Sequence, residues 1–338
     1  MRKKRRTTRA PLGILLMAVV IRLCCQPGLF TGLAARLEPA TAAGTAAPAE
    51  PEAAPGSAAP AVPLEAPAAQ PETALPVAAP EAPVLRTLSM TTAEMKDLSI
   101  RNQTGYTVSA QELADLPLQF DPSADGPTIL ILHTHTTEAY TPEPGWDYAP
   151  SDTMRTMDSE YNMVRVGDEV EQALTEAGLW VIHDERINDY PSYNGSYGTA
   201  LGRIEEWLAR YPTIQMVLDL HRDAAEDGQG GYVSTACTIG GSDTAQLMLV
   251  CGTDYGGLYH PNWRGNLAFA ARLQLALETQ APGICRPLDL RCERFNQHAT
   301  PMSLLVEVGT VGDTLAQALA AARTLGQTLG GLLAMPAR

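Results

Sequence analysis

Thr128-Ile-Leu-Ile-Leu-His133-Thr-His135-Thr-Thr-Glu138-Ala-Tyr140 decides how this chain is read. Ile129 to Leu132 is a run of branched apolar residues, the pattern of a strand buried on both faces. The run stops at two histidines and a carboxylate, all between positions 133 and 138. In open α/β sheets, ligands sit beyond the carboxyl ends of the strands. Imidazoles and a carboxylate placed there are the donors that a zinc-type ion takes. The stretch therefore predicts half of a catalytic metal site at the mouth of an α/β sheet.

Outward from it, strand and helix patterns alternate. Glu160 to Ala177 reads as a helix, with Met163, Val166, Val170 and Leu174 on one face and Gly178 as its stop. Leu179 to His183 reads as a second strand and Thr199 to Tyr211 as a second helix. Ile214 to Leu220 is a third strand, running straight into His221-Arg222-Asp223. Thr244 to Gly252 is a fourth strand and Leu267 to Thr279 a helix. Ser303 to Val308 is a further buried strand, and Thr314 to Leu333 closes the chain as a helix. Such alternation predicts an α/β domain over 126–336, with a single mainly parallel sheet covered by helices on both faces.

The preceding residues differ in kind. Residues 1–37 place a basic flank, Arg2 to Arg9, before the apolar run Pro11 to Ile21. That order predicts a signal anchor with its basic end in the cytoplasm, and hence a single-pass membrane protein whose folded domain is extracytoplasmic. Residues 38–85 are almost entirely Ala, Pro and Glu, a composition that blocks helix and offers no core, so a disordered linker is expected. Residues 86–125 are a transition segment, with a short strand expected at Tyr106 to Ser109 and a short helix at Ala110 to Leu116.

Six of the 24 basic residues lie in Met1 to Arg9, which leaves 18 against 38 acidic ones in the rest. That surface argues against nucleic acid as a partner. None of the six cysteines forms a Cys-x-x-Cys pair, so a cysteine zinc cluster is not expected. Cys237, Cys251, Cys285 and Cys292 are read either as extracellular pairs or as plain buried thiols.

Three predicted strands end in residues capable of chemistry: His133, His135 and Glu138; then Asp219, His221, Arg222 and Asp223; then Glu307. A parallel sheet brings its carboxyl ends to one edge, so these groups can converge. Catalytic zinc takes three protein ligands and leaves one position for water. His135 and His221 are the first two; Glu138 is the third, with His133, Glu160 and Asp158 as alternatives. Glu307, ending an apolar strand, suits a general base and acid because burial raises a carboxyl pKa. Arg222 is read as stabilising an oxyanion or pairing with Asp223, and Asp223 as orienting substrate. The loop Tyr190 to Tyr197 offers Tyr193 and Asn194 to sugars or peptides, although its composition equally suits a loop that need only be soluble. His298 is a candidate for lining the cleft, with His183 and His260 weaker.

His133-Thr-His-Thr-Thr-Glu-Ala-Tyr140, Asp189-Tyr-Pro-Ser-Tyr-Asn-Gly-Ser-Tyr197, Asp219-Leu-His-Arg-Asp-Ala224 and Leu304-Leu-Val-Glu-Val-Gly309 together resemble stage II sporulation protein P of endospore-forming bacteria, over about residues 125–335. The resemblance implies a zinc amidase-like fold and a peptidoglycan hydrolase: a Zn2+-dependent N-acetylmuramoyl-L-alanine amidase, with a second, endopeptidase activity on cross-links. It implies that His135 and His221 match ligand histidines and that Glu307 matches the catalytic glutamate. A ligand glutamate opening the first long helix would fall near Asp158-Ser-Glu160. The family's setting implies septal wall remodelling during engulfment, beside a lytic transglycosylase and a membrane scaffold protein. The competing expectation is a non-catalytic module that binds wall and recruits other hydrolases.

Overall fold

A computed structural model describes residues 85–334 apart from 96, 146–147 and 152. The expected anchor, and the linker up to residue 84, lie outside the described residues. Among those described, no helix is long and apolar enough to cross a membrane.

The strands are β1 (Arg86–Thr87), β2 (Ile100–Asn102), β3 (Gln119–Phe120), β4 (Ile129–Leu132), β5 (Val181–His183), β6 (Met216–Asp223), β7 (Cys237–Ile239), β8 (Ser242–Thr244), β9 (Leu247–Cys251), β10 (Leu288–Leu290) and β11 (Leu304–Thr310). The helices are α1 (Thr92–Met95), α2 (Ala110–Asp115), α3 (Met163–Glu176), α4 (Ser196–Arg210), α5 (Trp263–Gln280) and α6 (Leu315–Leu333). Seven strands form the central sheet in the order β2-β10-β9-β11-β6-β4-β5. Its pairings are parallel except for β9 with β11. The sheet is thus mainly parallel, as expected, but carries one antiparallel seam. β4, β5, β6 and β11 run one way and deliver their carboxyl ends to one edge.

The two faces are covered unequally. One receives Ile129, Ile131, Leu218, Leu220, Val306 and Val308 into the main core, against α3, α5 and α6. The other turns Leu130, Leu132 and Val217 towards Ala200 and Ile204 of α4 in a much smaller cluster. Strand alternation does this sorting. The predicted stripe on α3 is realised: Met163, Val166, Val170 and Leu174 are all fully buried. Asn162 caps this helix, its Oδ1 accepting the Val164 N–H at 2.9 Å. Gly178 ends it at φ +85, a left-handed turn that a glycine takes without strain.

One sequence expectation changes here. Tyr106 to Ser109 is not a strand; the Tyr106 ring stacks on Trp263 at 4.9 Å and its hydroxyl donates to Asp254 at 2.8 Å. The strand lies earlier, at Ile100–Asn102, and joins the sheet edge beside β10. The transition segment packs on the domain through a few side chains, with Leu88, Met95, Leu113, Leu118 and Phe120 in the core. The described cysteines are free thiols, Cys251 buried and Cys237, Cys285 and Cys292 partly exposed.

Helices α3 and α6 approach closely because α6 offers glycines at the crossing. A Cβ added at Gly326 would lie 2.7 Å from the Ala173 Cβ, and one at Gly330 would lie 2.7 Å from the Ala177 Cβ. Gly326→Val should therefore overpack the crossing and destabilise the domain by about 1–3 kcal/mol. Gly202→Ala on α4, with open space around it, should be neutral or stabilising by up to about 1 kcal/mol. Denaturant unfolding of both variants checks the contrast; equal midpoints would refute it.

Candidate metal centre

The turn after β4 folds back within one step. The Glu138 N–H donates to the His135 carbonyl at 3.0 Å, which brings the two side chains of this i,i+3 pair together. The Glu138 Oε1 lies 3.4 Å from His135 Nδ1, and its Oε2 lies 3.5 Å from His221 Nδ1. The His135 and His221 rings meet edge to face at 5.0 Å. Ligand atoms of these three residues all lie within 4.8 Å of one another. Donors bound about 2.0–2.1 Å from a tetrahedral ion stand roughly 3.4 Å apart, so the spacing fits. Glu138 and His221 are buried, while 12 % of the His135 side chain stays exposed, which leaves a way in from solvent.

Further groups hold this arrangement. His221 Nε2 stands 3.0 Å from Asp219 Oδ1, close enough to pair but not aligned as a hydrogen bond. Asp219 is itself fixed by the Thr134 N–H at 2.7 Å and the Thr134 hydroxyl at 2.6 Å. A carboxylate behind a ligand imidazole is the usual support of a zinc histidine. Arg155 reaches Glu138 Oε1 at 3.2 Å and Asp189 Oδ2 at 2.6 Å. Burial alone would raise the Glu138 pKa, but hydrogen bonds from His135 and His221 and the charge of Arg222 hold it well below the usual range. For His221, burial is outweighed by Asp219 and Glu138, which push it well above its usual value.

Glu307 of β11 is paired in register with His221 of β6, so the two side chains project from the same face of the sheet. Its Oε2 is buried without a hydrogen-bond partner. Burial pushes its carboxyl up to about 8, opposed by His221 and reinforced by Glu138. Just beyond it, the register slips and Gly309 takes φ +71 in a bulge, where a Cβ would stand 2.7 Å from both Ala245 Cβ and Asp313 Oδ2.

The other expected residues fall differently. Asp158 and Glu160 are exposed, the Asp158 Oδ1 accepting the Glu160 N–H at 3.1 Å, and neither joins the cluster. His133 does not join it either: its Nδ1 meets the Leu220 carbonyl at 3.2 Å and its Nε2 meets His183 Nε2 at 2.8 Å. Burial and the neighbouring His183 push His133 down to about 3. Burial alone would lower His183 too, but Asp168 and Glu171 push it up to about 9. Arg222 neither pairs with Asp223 nor is free for an oxyanion. Its guanidinium donates to the carbonyls of Ala139, Thr153 and Met154 at 3.0–3.1 Å, with Glu138 Oε1 at 3.8 Å, so it braces the loop that carries Glu138. Asp223 pairs with Arg286 at 2.7 Å instead of facing substrate. His298 has Arg294 and Glu205 as charged neighbours and lies beside His260, away from the cluster.

The tyrosine loop does reach the site. Tyr193–Gly195 forms a single 3-10 turn leading into α4, and the Asn194 side chain is exposed there. Tyr193 stacks on His135 at 4.6 Å with Arg155 over its ring at 4.5 Å. Tyr197 lies edge-on to His135 at 5.6 Å and parallel to His221 at 6.5 Å. A groove of about 480 Å³ opens alongside, lined by Arg155, Asp189, Tyr193, Arg222 and Glu226 among others. Arg155 and the bracing role of Asp219 are absent from the sequence reading, which held Tyr197 only as the end of the tyrosine loop. Asp219 was findable, two residues before His221 on one strand face. Arg155 carries no such signal, because its loop has no periodicity.

A family model described as Stage II sporulation protein P (SpoIIP) matches residues 79–330. A curated relative, stage II sporulation protein P of Bacillus subtilis (strain 168), is 27% identical over 204 residues, covering 57% of this chain and 48% of its own. The match thus spans about half the length of that relative. Among solved structures, the N-acetylmuramoyl-L-alanine amidase AmiC2 of Nostoc punctiforme is 12% identical with TM-score 0.37, over 62% of this chain and 97% of that one. The CwlD amidase of Clostridioides difficile, in complex with the GerS lipoprotein, is 12% identical with TM-score 0.38, over 61% and 98%. Likeness at that level is too low to bear on the site. The family match covers well over half of the 338 residues and contains every residue of the cluster: the chain belongs to the stage II sporulation protein P (SpoIIP) family.

Proposed function

We propose that this chain is a peptidoglycan hydrolase, a Zn2+-dependent N-acetylmuramoyl-L-alanine amidase that cuts the lactyl amide between MurNAc and the stem peptide. The observation that carries this reading is the gathering of His135, Glu138 and His221 around one point, with Glu307 in register beside His221. Family membership supports a setting in sporulation. Two imidazoles and a carboxylate fit zinc, and the ion held there supplies a polarised carbonyl and an acidified water. Glu307 accepts the proton of the attacking water and returns it to the departing alanine nitrogen. A buried carboxyl with an unpartnered oxygen, in register beside His221, is placed for both halves of that transfer. Tyr193 and Arg155 border the groove and orient the glycan–peptide junction.

A peptide cross-link presents the same kind of amide, so an endopeptidase activity would use the same centre. In this reading residues 1–37 anchor the chain in the cell membrane and the folded domain works outside the cytoplasm. It remodels septal wall during engulfment, beside a lytic transglycosylase and a membrane scaffold protein.

Digestion of purified peptidoglycan by the full chain should release stem peptides with free alanine amino termini, as mass spectrometry reads directly. Chelation should stop release and added Zn2+ restore it. Fragments cut within the peptide would reveal the endopeptidase. Glu307→Gln should lower the rate about 10²–10⁴-fold, and His221→Ala should abolish it. Undiminished release in either variant would sink the assignment; wall binding with no new amino termini would favour the recruiting module.

Asp219→Asn should leave all three ligands in place but weaken Zn2+ binding about 10–100-fold. Competition against a chromophoric chelator measures this, and an unchanged affinity would remove Asp219 from its supporting role.

A further inference from the structure

On the α3 face of the sheet, the second histidine cluster has no part in the chemistry above. We infer that it is a second divalent-cation site, formed by His183 at the end of β5, Asp168 on α3 and Glu185, with Glu171 at its margin. Ligand atoms of the first three all lie within 4.8 Å of one another. The His183 side chain is only 2 % exposed, and its Nδ1 is buried with no aligned hydrogen-bond partner. That nitrogen faces Asp168 Oδ1 at 3.3 Å and Glu171 Oε2 at 3.5 Å.

The ring is pre-oriented. His183 Nε2 is tied to His133 Nε2 at 2.8 Å, and His133 Nδ1 to the Leu220 carbonyl at 3.2 Å. An imidazole held through its far nitrogen presents the near one as a fixed ligand. Gly167 makes room for the pair: a Cβ there would lie 2.4 Å from His183 Nε2 and 2.8 Å from His133 Nε2.

Charge points the same way. One imidazolium can neutralise only one of the three carboxylates. Among the described residues, no arginine or lysine pairs with Asp168, Glu171 or Glu185, whereas Glu169 on the same helix is paired by both Arg165 and Arg323 at 2.7 Å. The Asp168 and Glu171 side chains are 46 % and 38 % exposed, so an ion can enter from solvent. One imidazole with two or three carboxylates is a mixed nitrogen and oxygen set, suited to Mn2+ and its divalent first-row neighbours.

The test is equilibrium dialysis of the metal-stripped full chain against Mn2+ at about 0.15 M salt, the ionic strength at which exposed-charge attraction is well screened, with bound metal counted by mass spectrometry. Mn2+ is the probe because thiols hold it poorly. The wild type should hold two equivalents, Asp168→Asn/Glu185→Gln one, and His135→Ala/His221→Ala one. Asp168 and Glu185 are open to solvent, so their amides leave the core untouched; circular dichroism verifies the fold. If Asp168→Asn/Glu185→Gln holds as much Mn2+ as the wild type, the inference fails. It fails too if the wild type holds one equivalent that His135→Ala/His221→Ala removes, an outcome that leaves the amidase reading standing. One equivalent removed only by Asp168→Asn/Glu185→Gln would uphold this site and count against the other.

Discussion

A buried carboxylate governs the architecture around the site. Glu138 is 4 % exposed and carries its charge in a place where an isolated ion would be untenable. Two imidazoles, Arg155 and Arg222 surround it, and the Arg222 backbone N–H adds a hydrogen bond at 3.2 Å. Withdrawing one partner from such a buried cluster typically costs about 3–5 kcal/mol, because the remaining charge is left uncompensated. The surrounding loops are consequently committed. Arg222 holds the Thr153–Met154 carbonyls, and Arg155 ties that same loop through Asp189 to the Thr137 N–H. The three candidate ligands are thereby held in one fixed arrangement.

Sheet topology explains why groups from three distant stretches meet. β4, β6 and β11 lie side by side in parallel register, so His135, His221 and Glu307 leave the sheet at one edge. The antiparallel seam then turns β9 away, and the carboxyl ends of β9 and β10 lie at the opposite edge. Unequal helix cover matters as well. The face with α3, α5 and α6 holds most of the core, whereas the face carrying Asp219, His221 and Glu307 has α4 and a small apolar cluster. Stability is concentrated on one side and access to the site on the other.

The sequence made strand ends and helix stripes legible because both are periodic and local. Ile129–Leu132, the α3 stripe and the polar residues closing β6 and β11 could be placed from spacing alone. What it concealed was orientation. His133 and His135 looked equivalent in one short run, where a continued strand would keep them on one face, yet the strand ends at Leu132 and the turn that follows sends them to opposite sides of the sheet. Arg222 looked available for substrate because nothing local announces three carbonyls contributed by residues 139–154. β2 and β10, three residues each, are too short to show alternation, so the extent of the sheet and its seam were hidden with them.

Divergence of neighbouring histidines has a consequence for evolution of the site. One turn after β4 feeds two polar clusters on opposite sides of the sheet, joined through Leu220, whose carbonyl meets His133 while the next residue is His221. Any change to the path of residues 133–135 must satisfy both clusters. Apolar residues at 133 would leave His183 Nε2 without its partner in a pocket that Gly167 keeps open, and a buried unpartnered imidazole N–H costs about 1–3 kcal/mol. The two histidines of the His-Thr-His run are therefore constrained for separate physical reasons, and a substitution tolerated at one says nothing about tolerance at the other.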